Sequence, residues 1–131
     1  MRFPMAVPEI PVESIQRAIG YYVKALGFHV DWEDKQSGIA GISQDDCRIF
    51  LANDQFRKYY GGGKQNIVWL NLNSKEEVDE LYERWRAAGA ILLDEPGDKP
   101  WHLREFRAAD PDGNQLRVFY DFSWELPPAA A

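Results

Sequence analysis

A single cysteine, Cys47, has no partner for a disulfide within the chain, so the fold must hold by its core, and a reducing, cytoplasmic setting is expected. Histidine is nearly as scarce. With only His29 and His102, a transition-metal site would have to lean on carboxylates. Long hydrophobic runs are missing too: the apolar stretches are a few residues long, far short of the roughly 18–20 that a bilayer span requires. The opening MRFPMAVPEIP has neither a charged lead into an apolar run nor a cleavage site, so no targeting leader is expected. Basic excess is also absent. The 15 Lys and Arg stand against 21 Asp and Glu, a net charge of −6, which disfavours nucleic acid and membrane partners and makes a cationic small molecule the easier one. What remains, at 131 residues with 45% apolar and 27% charged positions, is the balance of one ordinary globular domain.

Residues 5–12 mix apolar side chains with two prolines, as an edge strand does. Ser14 then caps a helix in which Ile15, Ala18, Ile19, Tyr22, Val23 and Leu26 form one apolar stripe, and Gly27 stops it. Three short strands follow, Phe28 to Glu33, Ile39 to Ser43 and Cys47 to Ala52, with connections short enough to be antiparallel. Asn53 to Gln65, holding Gly61-Gly62-Gly63, has no period and reads as a linker. After it the order repeats. Ile67 to Leu72 is a strand, Ser74 and Glu77 form a capping box, and Val78, Leu81, Tyr82, Trp85 and Ala88 share one helical face before Gly89. Ile91 to Leu93, Leu103 to Ala109 and Gln115 to Tyr120 supply three more strands, the last two joined by the turn Asp110-Pro111-Asp112-Gly113-Asn114. Even the fourth strands rhyme, Arg48-Ile49-Phe50 against Arg117-Val118-Phe119. Residues from Leu126 on have the composition of a disordered tail.

The reading is therefore α+β: two tandem βαβββ modules, about 5–53 and 66–121, joined by a linker at about 54–65 and followed by a tail at 122–131. One helix covers one face of each sheet. The other faces need a cover, and a cupped mixed sheet with a ligand cavity is the expected product.

Several eye-catching features have plain explanations. Gly61-Gly62-Gly63-Lys64 lacks the flanking strand and helix of a phosphate loop. The Asp110–Asn114 turn has its glycine in the wrong place for a calcium loop. Cys47 follows two acids, which disfavour a thiolate. Trp85 completes a core stripe, Trp69 fits either core or site, and Trp124 lies near the tail.

Val12-Glu13-Ser14-Ile15, Ala18-Ile19-Gly20-Tyr21-Tyr22, Leu26-Gly27-Phe28, Ala87-Ala88-Gly89, Trp101-His102-Leu103-Arg104-Glu105-Phe106 and the Asp110–Asn114 turn together resemble the vicinal oxygen chelate superfamily of glyoxalases, bleomycin resistance proteins and dioxygenases. The likeness spans about residues 5–121 and implies a single domain of paired modules, often a homodimer with ligand crevices. Enzymes of that group hold a divalent metal by residues from the first strand of each module and the last strand of the second. The matching positions here are Val7, Asn66 and Arg117, none a usual ligand, so the resemblance implies neither metal nor cofactor. It points to the bleomycin resistance branch, which sequesters a small molecule without chemistry, and so to an antibiotic-resistance role.

On that reading Trp101, in a loop the resemblance places at the crevice, stacks on a planar or cationic ligand, and Trp32 and Phe50 supply a facing wall. Strand alternation places Glu9 with Val7, and Glu105 and Arg107 with Leu103; with Arg117 these make a charged floor. His102, beside Trp101, is a further candidate because imidazole is the side chain suited to acid-base roles and to polar recognition. The alternative is a glyoxalase-like lyase or isomerase, or a dioxygenase-type enzyme with unusual ligands, in which Glu9 or Glu105 serves as base.

Overall fold

The computed structural model describes residues 1, 5–60 and 65–127. By its internal contacts the chain divides into two compact units, residues 1–66 with 110–114, and residues 67–109 with 115–131.

Unit 1 runs β1 (Glu9–Pro11), α1 (Ile15–Lys24), β2 (His29–Asp34), β3 (Ile39–Gln44), β4 (Cys47–Ala52) and α2 (Asp54–Tyr60). Ser14 Oγ accepts the Arg17 N–H at 3.2 Å, which fixes where α1 begins. Gly27 ends the turn at φ +82°, a region open to glycine without a Cβ penalty. The sheet order is β1-β4-β3-β2, with β1 parallel to β4 and the rest antiparallel. Alternation then sorts the side chains. Ile10, Ala40, Ile42, Ile49 and Leu51 are fully buried with Ala18 and Tyr22 of α1, while Glu9, Phe50, Gly41 and Trp32 share the opposite face by register. The edge strand is shorter than the 5–12 stretch suggests: Pro8 precedes it and Pro11 is the last of its three residues.

The segment read as a linker is partly helical. Asn53 Oδ1 accepts the Phe56 N–H at 3.1 Å and starts α2, whose seven residues are too few to show a period. The glycine run after it lies outside the described residues.

The turn Asp110–Asn114 belongs to unit 1 and is held by a buried polar knot. Asp110 Oδ2 accepts from the Tyr22 hydroxyl (3.1 Å) and Asn114 Nδ2 (2.8 Å), and Oδ1 accepts the backbone N–H of Asp112 and Asn114. Asn114 Nδ2 also donates to the Pro11 carbonyl at 2.7 Å. Burial pushes the Asp110 carboxyl above the usual carboxylate range and the Tyr22 hydroxyl well above its ordinary value.

Unit 2 repeats the plan with β5 (Ile67–Asn71), α3 (Lys75–Ala87), β6 (Ile91–Leu92), β7 (Gly97–Asp98), β8 (Leu103–Ala109) and β9 (Gln115–Asp121). Ser74 Oγ accepts the Glu77 N–H (3.1 Å), and Glu77 Oε1 accepts the N–H of Asn73 (2.8 Å). Gly89 closes α3, with the Ala90 N–H returned to the Trp85 carbonyl at 2.9 Å. Tyr82 and Trp85 meet Phe106 edge-on, at 5.3 and 5.8 Å, and Trp85 is core as its stripe requires.

The order β5-β9-β8-β6 matches unit 1, again with one parallel pair. One strand differs from expectation. The second strand of this module is broken at Asp94-Glu95-Pro96 into β6 and β7, both paired with β8, because proline offers no N–H to the ladder. Beyond β9, Ser123–Glu125 form a 3-10 turn within the span read as tail, and residues 128–131 of that tail lie outside the described residues. Among the described residues no helix is long and apolar enough to cross a membrane.

Candidate functional site

Each unit leaves one sheet face uncovered by its own helix, and each such face carries aromatics. In unit 2 the register sets Trp69 opposite Arg117, Arg117 opposite Arg107, and Phe119 opposite Glu105. Strand alternation puts all five on the face away from α3. Trp101 reaches the same group from the loop between β7 and β8, as the apex of a turn in which the His102 N–H bonds the Lys99 carbonyl at 2.9 Å.

At the centre is Glu105, only 1% exposed. Its Oε1 accepts the Trp101 indole N–H at 2.9 Å, and its Oε2 accepts Nε and Nη2 of Arg117 at 3.2 and 3.0 Å. A carboxylate taken out of water demands such partners, because an unpaired buried charge costs several kcal/mol, of order 3–5. The Arg117 guanidinium lies over the Trp69 ring at 4.4 Å, and Trp69 meets Phe119 edge-on at 5.5 Å. Around this ordered base the indoles stay in solvent, Trp69 49% and Trp101 57% exposed. Two large apolar rings, held in place by a buried ion pair yet open to water, form a platform for stacking.

The expected charged floor is rearranged. Arg107 turns to Asp94, with its backbone N–H on Oδ1 (2.7 Å) and Nε on Oδ2 (2.9 Å), while Arg117 alone holds Glu105. Glu9 lies on β1 of unit 1, where the register sets it opposite Phe50. His102 is also accounted for locally. Its backbone sits at φ +67°, its ring packs on Phe122 at 5.9 Å, and its carbonyl accepts the Phe122 N–H, so its contacts are those of a turn.

In unit 1 Trp32 and Phe50 meet edge-on at 5.2 Å, with Arg48 above Phe50 at 5.8 Å. Trp32 lies against the backbone of Gly41, where any Cβ would collide with the indole. Burial pushes the Cys47 thiol up, which works against a thiolate there.

The residues at the metal positions implied by the resemblance do not fit a divalent ion. Val7 has no donor atom, Asn66 gives its amide Nδ2 to the Glu9 carbonyl, and Arg117 is a cation bound to Glu105. Among the described residues, no three His, Cys, Asp or Glu side chains are grouped to hold one.

Sequence reasoning left Trp69 open and did not single out Phe119 or Asp94. The signal was present in the expected topology: a βαβββ module pairs its first strand parallel to its last, which brings Trp69 beside Arg117. Asp94 carried no such signal, because its place follows from the break between β6 and β7.

The family model described as the Glyoxalase/Bleomycin resistance protein/Dioxygenase superfamily matches residues 5–118. The chain belongs to that superfamily. A bleomycin resistance protein from Geobacillus stearothermophilus is 29% identical over 127 residues, covering 87% of this chain and 94% of that protein. Among solved structures, a glyoxalase/bleomycin resistance protein/dioxygenase from Nocardioides has a TM-score of 0.78 at 22% identity, covering 100% of this chain and 92% of its own. A bleomycin-binding protein from Streptomyces verticillus, complexed with copper(II)-bleomycin, has a TM-score of 0.70 at 23% identity, covering 90% and 96%. These structural likenesses carry the superfamily fold; what the superfamily fold does here depends on the site.

Proposed function

We propose that this protein binds and sequesters a planar small molecule without metal or chemistry, as a member of the bleomycin resistance branch of its superfamily. The observation that carries the reading is the solvent-open tryptophan pair Trp69 and Trp101, anchored from beneath by the fully paired Glu105. A saturated, buried carboxylate is a poor general base, since a base needs a free lone pair within reach of the substrate proton. It is a good anchor. Trp32 and Phe50 offer a second aromatic surface in unit 1, and a homodimer that covers part of these open faces belongs to the same proposal. The relative from Geobacillus is named for bleomycin resistance, which supports an antibiotic or antibiotic-like metabolite as ligand. The net charge of −6 draws a cation from a distance, while at the aromatic face itself the free groups are guanidinium N–H donors.

Native mass spectrometry of protein purified without chelator tests the proposal. The expected result is a metal-free dimer that retains an organic adduct or takes up added bleomycin, with binding at least several-fold weaker in Trp101→Ala and the fold unchanged. One divalent ion per chain, with turnover of a small oxygenated substrate, would overturn it.

A further inference from the structure

Two arginines stand directly opposite each other on the aromatic face of unit 2, Arg107 on β8 and Arg117 on β9. Like charges in that position destabilise a sheet unless they are neutralised, and here each has its own carboxylate. The hydrogen-bonding is lopsided. Both oxygens of Glu105 and both oxygens of Asp94 already accept bonds. A guanidinium carries five N–H donors, of which Arg117 uses two on Glu105 and Arg107 one on Asp94. The remaining donors have no partner among the described residues, and the Arg107 and Arg117 side chains are 38% and 26% exposed. Asp121, at the far end of β9 on this face, accepts the Ser123 N–H. Asn71 and Gln115 complete the face with amides, which serve donor and acceptor alike.

A ligand stacked on Trp69 or Trp101 therefore meets guanidinium donors, while the two carboxylates beside those arginines, Glu105 and Asp94, are already engaged. We infer that the ligand of this face is a planar aromatic compound bearing an anionic acceptor group, a carboxylate or its equivalent, bridged by Arg107 and Arg117. The inference rests on the stacking reading and gives it a ligand class. It also sets short-range recognition against the long-range field. The charge of −6 acts through water, where screening weakens it beyond about 8 Å at physiological ionic strength, whereas charge-assisted hydrogen bonds act at contact.

The test is isothermal titration of the intact protein with three probes of one shape: 2-naphthoate, its neutral carboxamide, and the cation N-methylquinolinium. The expected order is naphthoate tightest, about tenfold over the carboxamide, with the cation weakest and the naphthoate advantage shrinking as NaCl is raised. In Arg107→Gln the naphthoate-to-carboxamide ratio falls to about threefold or less. Glu105→Gln with Arg117→Gln, which removes the ion pair without leaving a buried charge, lowers the same ratio, and thermal unfolding of each variant verifies the fold. If the carboxamide or the cation binds as tightly as naphthoate, with binding still lost in Trp101→Ala, the anion preference is overturned and the stacking reading stands. If none of the three binds in a Trp101-dependent way, the stacking reading falls and takes the preference with it.

Discussion

The two sheets have the same strand order and different solutions on the open face. Arg48 and Phe50 of β4 match Arg117 and Phe119 of β9 in position, yet what stands beside them is exchanged. Opposite Phe50 are Gly41 and Glu9; opposite Phe119 are Glu105 and Asn71. One strand further, Trp32 lies opposite Gly41, while Gly97 lies opposite Glu105. In unit 1 the glycine on β3 gives room for a strand tryptophan to lie over the backbone. In unit 2 that place holds a carboxylate, the facing strand has the glycine, and the indole arrives from the loop as Trp101, tied by its N–H to Glu105. A repeat can thus keep an indole over its third strand while changing which element supplies it. Of the two open faces only the second buries a carboxylate against an arginine, and only there does the arginine become structurally necessary.

Replacing the two matched arginines should break that symmetry most visibly. Arg117→Ala leaves Glu105 buried and unpaired and is expected to cost about 3–5 kcal/mol in urea unfolding. Arg48→Ala, which loses an exposed ring contact, should stay within about 0.5 kcal/mol. Equal losses would mean that the two faces are built alike after all. Gly41→Ala forces the Trp32 indole aside and should cost about 1–2 kcal/mol, with a red shift in tryptophan emission. An unchanged spectrum would show that Trp32 does not depend on that gap.

A pH series sharpens the contrast further. The Tyr22 hydroxyl in unit 1 is raised above its ordinary value of 10.0, mainly by burial and secondly by the Asp110 charge. The folded state therefore keeps this proton where the unfolded chain gives it up, so stability is intact below pH 10.0 and falls as pH rises past it. Tyr120 in unit 2 is raised too, chiefly by burial, so Tyr22→Phe should make the alkaline slope shallower without abolishing it. At neutral pH that variant should lose about 1 kcal/mol, the size of one hydrogen bond. Trp101→Ala should also cost about 1 kcal/mol, more than Arg48→Ala, because the ring is largely in solvent but Glu105 Oε1 loses its indole donor, while its effect on ligand affinity is expected to be several-fold.

Local signals carried the fold because each acts within a few residues. Ser14 and Ser74 cap helices by reaching three residues ahead, Gly27 and Gly89 end them through a backbone angle, and the stripe through Val78 and Trp85 needs only the helical period. The Asp110–Asn114 turn was legible in the same way. The helix at Asp54–Tyr60 was not, since two turns show no period and its Asn53 cap was hidden in a polar stretch.

The candidate site divides along the same line. Alternation put Glu105 and Arg107 on one strand face, while Trp101 and Arg117 were singled out through the family resemblance; Glu105, Arg107 and Arg117 lie on β8 and β9. Sequence alone determined the α+β class, the doubled βαβββ order and the face on which each strand residue falls, because caps, periods and turns are properties of neighbours in the chain. Tertiary structure decided the pairings: that Glu105 takes Arg117 and Trp101, that Arg107 goes to Asp94 across the break between β6 and β7, and that Trp69 lies beneath a guanidinium. Those contacts join residues distant in the chain, and which carboxylate meets which arginine is set by strand register and burial together, neither of which is written in any single stretch of residues.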